Sequence, residues 1–210
     1  MAFEPDYGET RVTEQEREVL TAQAREILGS PIRKADLYDL EQQIQDEVAD
    51  ALVGEVLDGT LTVSELLTDH FVRELHRRLY APVWTWGGRQ RSLETNIGIA
   101  PEHIAVELRN SLDSLRYRCE HQCDLTPRAL GIAAHAAVVH IHPFVDGNGR
   151  VTRLVADLVF LAAQEDSPLL AYDWDVDRGS YIRLLRQYDQ TLDPAALVEL
   201  IPIIELKDEG

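Results

Sequence analysis

The chain has 210 residues, 45% hydrophobic and 27% charged, and 37 acidic against 20 basic side chains give it a formal net charge of −17. Its length suits one large domain, or a domain with a helical extension, able to bury a sizeable core. The acidity excludes broad contact with a nucleic acid backbone, which Lys and Arg drive, and no apolar run approaches the roughly 18–20 residues that span a bilayer.

In so acidic a chain, a site for a polyanion must concentrate the few cations locally, so a basic cluster is informative. The first residues, MAFEPDYGETRVTEQERE, lack the basic and apolar regions of a secretory signal. Cys119 and Cys123 stand four apart with no second pair, a poor zinc site and too few for a disulfide framework. They read as semi-buried thiols of a reducing cytoplasm, so the expected location is cytoplasmic.

Thr13 and Glu16 form a capping box that starts a short helix carrying Val19, Leu20, Ile27 and Leu28 and ending at Gly29. After Pro31, apolar residues at 37, 40, 44, 48, 52 and 56 recur at steps of three and four, which predicts a long amphipathic helix closed by Asp58-Gly59. A second helix is expected over 62–80, with Phe71, Val72, Leu75 and Leu79 inward. Trp84–Ile99 changes character, with Gly87, Gly88, Asn96 and Gly98 among β-favouring residues, and reads as a loop with a short hairpin. Pro101 opens a helix bearing Ile104, Leu108, Leu112 and Leu115. Thr126-Pro127 caps an apolar helix that runs to Ile141. Another follows Gly147, one more carries Tyr181, Leu184, Leu185 and Tyr188, and a last one follows Asp193-Pro194. The fold class is all-α.

Between the two most apolar helices lies His142-Pro143-Phe144-Val145-Asp146-Gly147-Asn148-Gly149-Arg150-Val151-Thr152-Arg153. Pro143 disfavours helical geometry at His142, so the first helix ends there. Gly147 and Gly149 allow open turns and close backbone approach, and the next helix points its free N–H groups and positive dipole end into that turn. This is an anion site. Arginines in a first helical turn oppose the dipole, so Arg150 and Arg153, three apart, call for a phosphate to grip. Asp146 suits Mg²⁺, which takes one or two carboxylates plus phosphate oxygens. His142 supplies a base that is mostly neutral at pH 7. Together these point to phosphoryl or nucleotidyl transfer.

The segment HPFVDGNGRVTR resembles the signature of the Fic family, HxFx(D/E)GNGRxxR, at every fixed position. The resemblance runs from about residue 61 to 203. It takes in FVRELHRRLYAPVWTWGGRQR as the lead-in to a target-binding flap and NIGIAPEHI as its exit, and it is similar to a branch of the family found on mobile elements. It implies a helical bundle with a short hairpin flap, a Fic domain over 61–206 and a helical extension over 1–60. It implies a protein adenylyltransferase that moves AMP from ATP to a Ser, Thr or Tyr hydroxyl of a target protein. His142 would be the base, Asp146 the Mg²⁺ ligand, and Gly147, Asn148 and Gly149 the anion hole. Arg150 would stabilise the leaving pyrophosphate, and Arg153 would bind the γ-phosphate. Doc-type members, which transfer phosphate, have Lys where this chain has Gly149, a difference that favours AMP transfer. The alternatives are a different nucleotide donor, removal of AMP, or a nucleotide-binding module without turnover.

Many Fic proteins carry an inhibitory [S/T]xxxE[G/N] helix. The nearest match here, Thr10 to Glu14 followed by Gln15, fails at its last position. Inhibition then falls to a separate small partner, as in a toxin–antitoxin pair, or to a carboxylate of the 33–58 helix (Glu41, Asp46, Glu47 or Glu55), or is absent. The sequence leaves a homodimer open. The alternating Asp173, Asp175 and Asp177 lack the glycine and glutamate positions of a calcium loop, and capping of the following helix is expected instead. His70, His76, His103 and His121 read as surface or capping residues, and Trp84 and Trp86 as aromatics at the base of the flap.

Overall fold

Threonines set many of the helix starts. The computed structural model describes residues 12–165 and 168–206. Among them are ten α-helices: α1 Glu14–Glu18, α2 Ala22–Leu28, α3 Lys34–Leu57, α4 Val63–Leu66, α5 Asp69–Tyr80, α6 Ile104–Tyr117, α7 Pro127–Ile141, α8 Asn148–Ala163, α9 Arg178–Thr191 and α10 Ala195–Leu200. The side chains of Thr13, Thr21 and Thr126 accept the N–H groups of Glu16, Ala24 and Ala129 at the starts of α1, α2 and α7. Each satisfies a backbone donor that has no partner inside its helix. The all-α class is the observed one.

Two expected helices are each broken in two, and threonine is the reason both times. The first N-terminal helix stops at Val19, where Thr21 turns its hydroxyl to the Pro82 carbonyl (2.8 Å) and its N–H to the Val83 carbonyl (2.8 Å). The 62–80 helix breaks at Leu67, and the Thr68 hydroxyl caps Phe71 (3.1 Å) to start α5. Short hydroxyl side chains offer the backbone a local alternative to helix, which periodicity alone does not register.

Strands also lie elsewhere than expected. Segment 84–99 consists of turns and bends, with Gln90 bridging Phe144. The two-stranded sheet is formed by β1 Leu170–Tyr172 and β2 Ile203–Glu205, antiparallel, with Leu170 opposite Glu205. No helix among the described residues is long and apolar enough to cross a membrane.

The chain divides into two compact units. One holds the described residues up to Ala51 together with Arg73–Arg89; the other holds Leu52–Val72 and the described residues from Gln90 onward. In the first, Leu20, Ala24, Ile32, Leu37 and Val83 form a core, with Leu40, Ile44 and Trp84 against it. The start of the α3 stripe is thus covered by α2 and the Val83-Trp84 turn. Glu41 on α3 accepts the Trp84 indole N–H at 2.6 Å. Asp46 and Glu47 accept the side-chain amides of Gln42 and Gln43 one turn earlier. His76 is a correction to the surface reading: it is fully buried, and its Nδ1 accepts the Gly88 N–H at 2.8 Å. Thr10 of the inhibitory near-match lies outside the described residues, and Glu14 opens α1.

In the second unit, α7 packs against α6, α8, α9 and α10. Its core joins Ile132 and Ala136 of α7 to Ala156 and Phe160 of α8, Tyr172 of β1, Leu184 and Tyr188 of α9, and Leu197 of α10. The small residues along α7 and α8 let the two backbones approach, and this pair frames the loop between them. Asp177 caps α9 through the Ser180 N–H (2.8 Å), as expected. Both cysteines are free thiols, Cys119 half-buried and Cys123 exposed.

Candidate active site

The loop from α7 to α8 is held by two left-handed residues. His142 ends α7 with φ 52° and ψ 62°, its N–H bonded to the Val138 carbonyl (3.0 Å). Gly147 starts α8 with φ 77°, a conformation glycine adopts without strain. Between them Phe144 is wholly buried and anchors the loop. The Asn148 side chain straps it further, accepting the Phe144 N–H (3.0 Å) and donating to the Phe144 carbonyl (2.8 Å).

His142 is half-buried. Burial, then the charge of Arg91, holds its pKa below the usual 6.5, while the Val139 carbonyl and the Asp146 carboxylate pull the other way. The imidazole is therefore neutral at pH 7. Its Nδ1 is buried, which leaves Nε2 as the nitrogen to take a proton.

Arg91 is nearly buried, 4% exposed, and touches both sides of this loop. Its Nε donates to the His142 carbonyl (2.7 Å), Nη1 to the Leu93 carbonyl (3.0 Å) and Nη2 to the Ile99 carbonyl. A longer contact reaches the Ile141 carbonyl (3.4 Å), and the Arg91 N–H donates to the Pro143 carbonyl (2.9 Å). Gly98 lies against both: a β-carbon there would come within 2.5 Å of the His142 Cβ and 2.8 Å of Arg91 Nη2.

Beside the start of α8 opens a cleft of about 640 Å³, walled by Gly149, Arg153, Ile97, Trp174, Val176, Arg178, Tyr181 and Ile182. Arg153 folds back so that its Nε donates to the Gly149 carbonyl (3.1 Å). Arg150 is half-buried and forms no part of this wall, although it stands only three positions before Arg153. Asp146 is exposed, its Oδ1 accepting the Gly147 N–H (2.7 Å). One exposed carboxylate beside the N-terminus of α8 fits Mg²⁺, which takes one or two carboxylates and completes its shell with phosphate oxygens and water. Among the described residues no group of three or more His, Cys, Asp or Glu is placed to hold a metal by itself.

A polar network lies behind the cleft. Trp174 Nε1 donates to Asp157 (2.9 and 3.2 Å), and His135 Nε2 meets the Tyr181 hydroxyl at 2.6 Å. Burial lowers the pKa of His135 to about 4 and raises that of Asp157 to about 7, the Trp174 bond opposing the second shift. His140 pairs with Asp189 (2.8 Å), so His135 and His140 point to separate partners. A second hollow of about 480 Å³, with Ile99, His103, Arg118 and His140 in its wall, contains no residue of 142–153.

The structure thus brings Gly149 and Arg153 into one cleft. His142 is not in its wall; the His142 Cβ packs against Gly98, the residue after Ile97. Sequence reasoning missed Arg91, Trp174, Tyr181 and Arg178. For Arg178 the signal was present, an arginine in the first turn of a helix, as with Arg150.

A model of the Fic/DOC family matches residues 66–160. A protein adenylyltransferase Fic of Drosophila willistoni is 32% identical over 117 residues, 53% of this chain but 23% of that one. The chain spans no more than about a quarter of the length of the curated relatives it matches. A solved Fic domain-containing signaling protein from Bacteroides thetaiotaomicron shares the fold with TM-score 0.56 and 24% identity, over 76% of this chain and 62% of that chain. BepC of Bartonella tribocorum, solved with AMPPNP bound, shares it with TM-score 0.52 and 15% identity, over 79% and 89%. Fold, motif and likeness converge, and over residues 66–160 the chain is similar to the Fic/DOC family.

Proposed function

We propose that this chain is a protein adenylyltransferase that moves AMP from Mg-ATP to a Ser, Thr or Tyr hydroxyl of a target protein. The observation that carries the reading is a half-buried His142 with a lowered pKa, five residues before the left-handed Gly147 that starts α8, whose first turns bring Gly149 and Arg153 to a cleft. The name of the Drosophila relative and the AMPPNP in BepC agree with a nucleotide substrate. Residues 61–206 would be the catalytic domain and 1–60 its extension.

In this reading the hydroxyl proton passes to Nε2 of His142. The oxygen attacks the α-phosphorus, the bond from that phosphorus to the bridging oxygen breaks, and pyrophosphate leaves. The main-chain N–H groups of Asn148 and Gly149, at the positive end of α8, would draw charge from the phosphates, joined by that of Gly147 once Asp146 turns from it to Mg²⁺. Arg153, with Arg178 in the wall of the same cleft, would take the γ-phosphate, and Arg150 the departing pyrophosphate. Asp146 would hold Mg²⁺, which supplies further charge neutralisation at the phosphate oxygens. The indole of Trp174 and the ring of Tyr181 give the cleft an aromatic side.

The test is incubation with α- or γ-labelled ATP, Mg²⁺ and a cell lysate. Protein should retain the α label and not the γ label. His142→Ala should remove nearly all of it, since a positioned base contributes about 10²–10⁴-fold. Chelating the metal, or Asp146→Ala, should suppress labelling. Retention of the γ label would make the chain a kinase of the Doc type.

A further inference from the structure

We propose that Arg91 is a positioning residue of this site, a group that locks the base-bearing turn and the 93–99 loop into a single rigid piece. Its effect on rate rests on the transfer reading above; its effect on the loop does not.

A guanidinium taken out of water needs partners for its donors. Arg91 finds them in main-chain carbonyls, those of His142, Leu93, Ile99 and, at longer range, Ile141. Two of these are last carbonyls of α7, which lack helical partners and form the negative end of the helix dipole. The other two belong to the loop that passes the cleft at Ile97. A planar fork can reach both sets at once, whereas a lysine ammonium acts from a single point.

The turn it holds is a costly one. A non-glycine residue in the left-handed region is disfavoured and persists only where its surroundings over-determine it. Arg91 brackets His142, with Nε on the His142 carbonyl and its own N–H on the Pro143 carbonyl. Gly98 closes the stack against both side chains. Arg91 is not in the wall of the cleft, so it acts through His142 and the loop and not on ATP.

Two variants test this. Arg91→Lys keeps a positive charge and loses the fork; Arg91→Met also loses the charge and serves as the severe case. Transfer of the α label at saturating ATP should fall about 10²-fold in Arg91→Lys, the scale of a misplaced reacting group. KM for ATP should stay within about two-fold. Amide exchange over 92–99 and 141–146 should rise by roughly ten-fold or more, while α7 before Val138 and α8 after Val151 keep their protection. Labelling by Arg91→Lys within two-fold of the parent would overturn the proposal. So would unchanged exchange in the loop, or a rise spread evenly through α7 and α8. Should the parent chain transfer nothing, the exchange comparison alone decides the role of Arg91, and only the transfer reading falls.

Discussion

Replacing Asn148 with alanine separates two roles that the motif alone confuses. Sequence reasoning gave this residue to the anion hole, yet its side chain is 4% exposed and spent on Phe144, one bond to the N–H and one to the carbonyl. Only its main-chain N–H is left for a phosphate. Each lost bond costs about 0.5–1.5 kcal/mol net, more where a buried group loses its partner. The two together should destabilise the chain by about 2–4 kcal/mol. For a chain of this size that lowers Tm by roughly 5–15 °C. Thermal unfolding without ligand reads this directly, and equilibrium dialysis of labelled ATP reads binding. The expected outcome is a lowered Tm and weakened ATP binding together, because the nest loses its shape when the strap goes. An Asn148→Ala protein that melts with the parent but fails to bind ATP would refute the strap and return the amide to direct ligand contact.

Three further outcomes follow from the same geometry. The pKa of His142 is held below 6.5, so the base is competent above that lowered value and transfer should fall only as pH drops beneath 6.5; an acid limb centred above 6.5 would contradict the assignment. A side chain at Gly149 meets only Arg153 Nη2, at 3.9 Å, so Gly149→Lys should melt within a few degrees of the parent yet lose at least about ten-fold in α-label transfer; undiminished transfer would remove this position from donor choice. Asp157 titrates near 3.8 unfolded and at about 7 folded, so the native state holds an extra proton between those values and stability declines as pH rises through that window. Asp157→Asn should therefore gain Tm over the parent at pH 8 relative to pH 5, and an equal difference at both would show that burial does not strain this carboxylate.

Long periodic helices were legible because their apolar residues repeat over many turns: α3, α6, α7 and α8 all appear where the spacing puts them. What the pattern hid was local and short. Thr21 and Thr68 interrupt helices through hydroxyl bonds that carry no periodic signal. The strands are three residues each and lie about thirty residues apart, too brief to alternate visibly. The same holds at the site. The loop 142–153 was readable because its residues are adjacent in sequence. Arg91 and the Trp174–Asp157 pair come from distant segments, and their partners are carbonyls or single side chains that only the folded chain supplies.

The left-handed turn at His142 has a consequence for engineering. A helix of this kind most often ends on glycine, and here folding alone would favour glycine or asparagine over a β-carbon at φ 52°. A search guided only by melting temperature would drift toward His142→Gly, a sturdier chain with no imidazole at its cleft. Stabilised versions of this chain should therefore be built elsewhere, with residue 142 held fixed from the start.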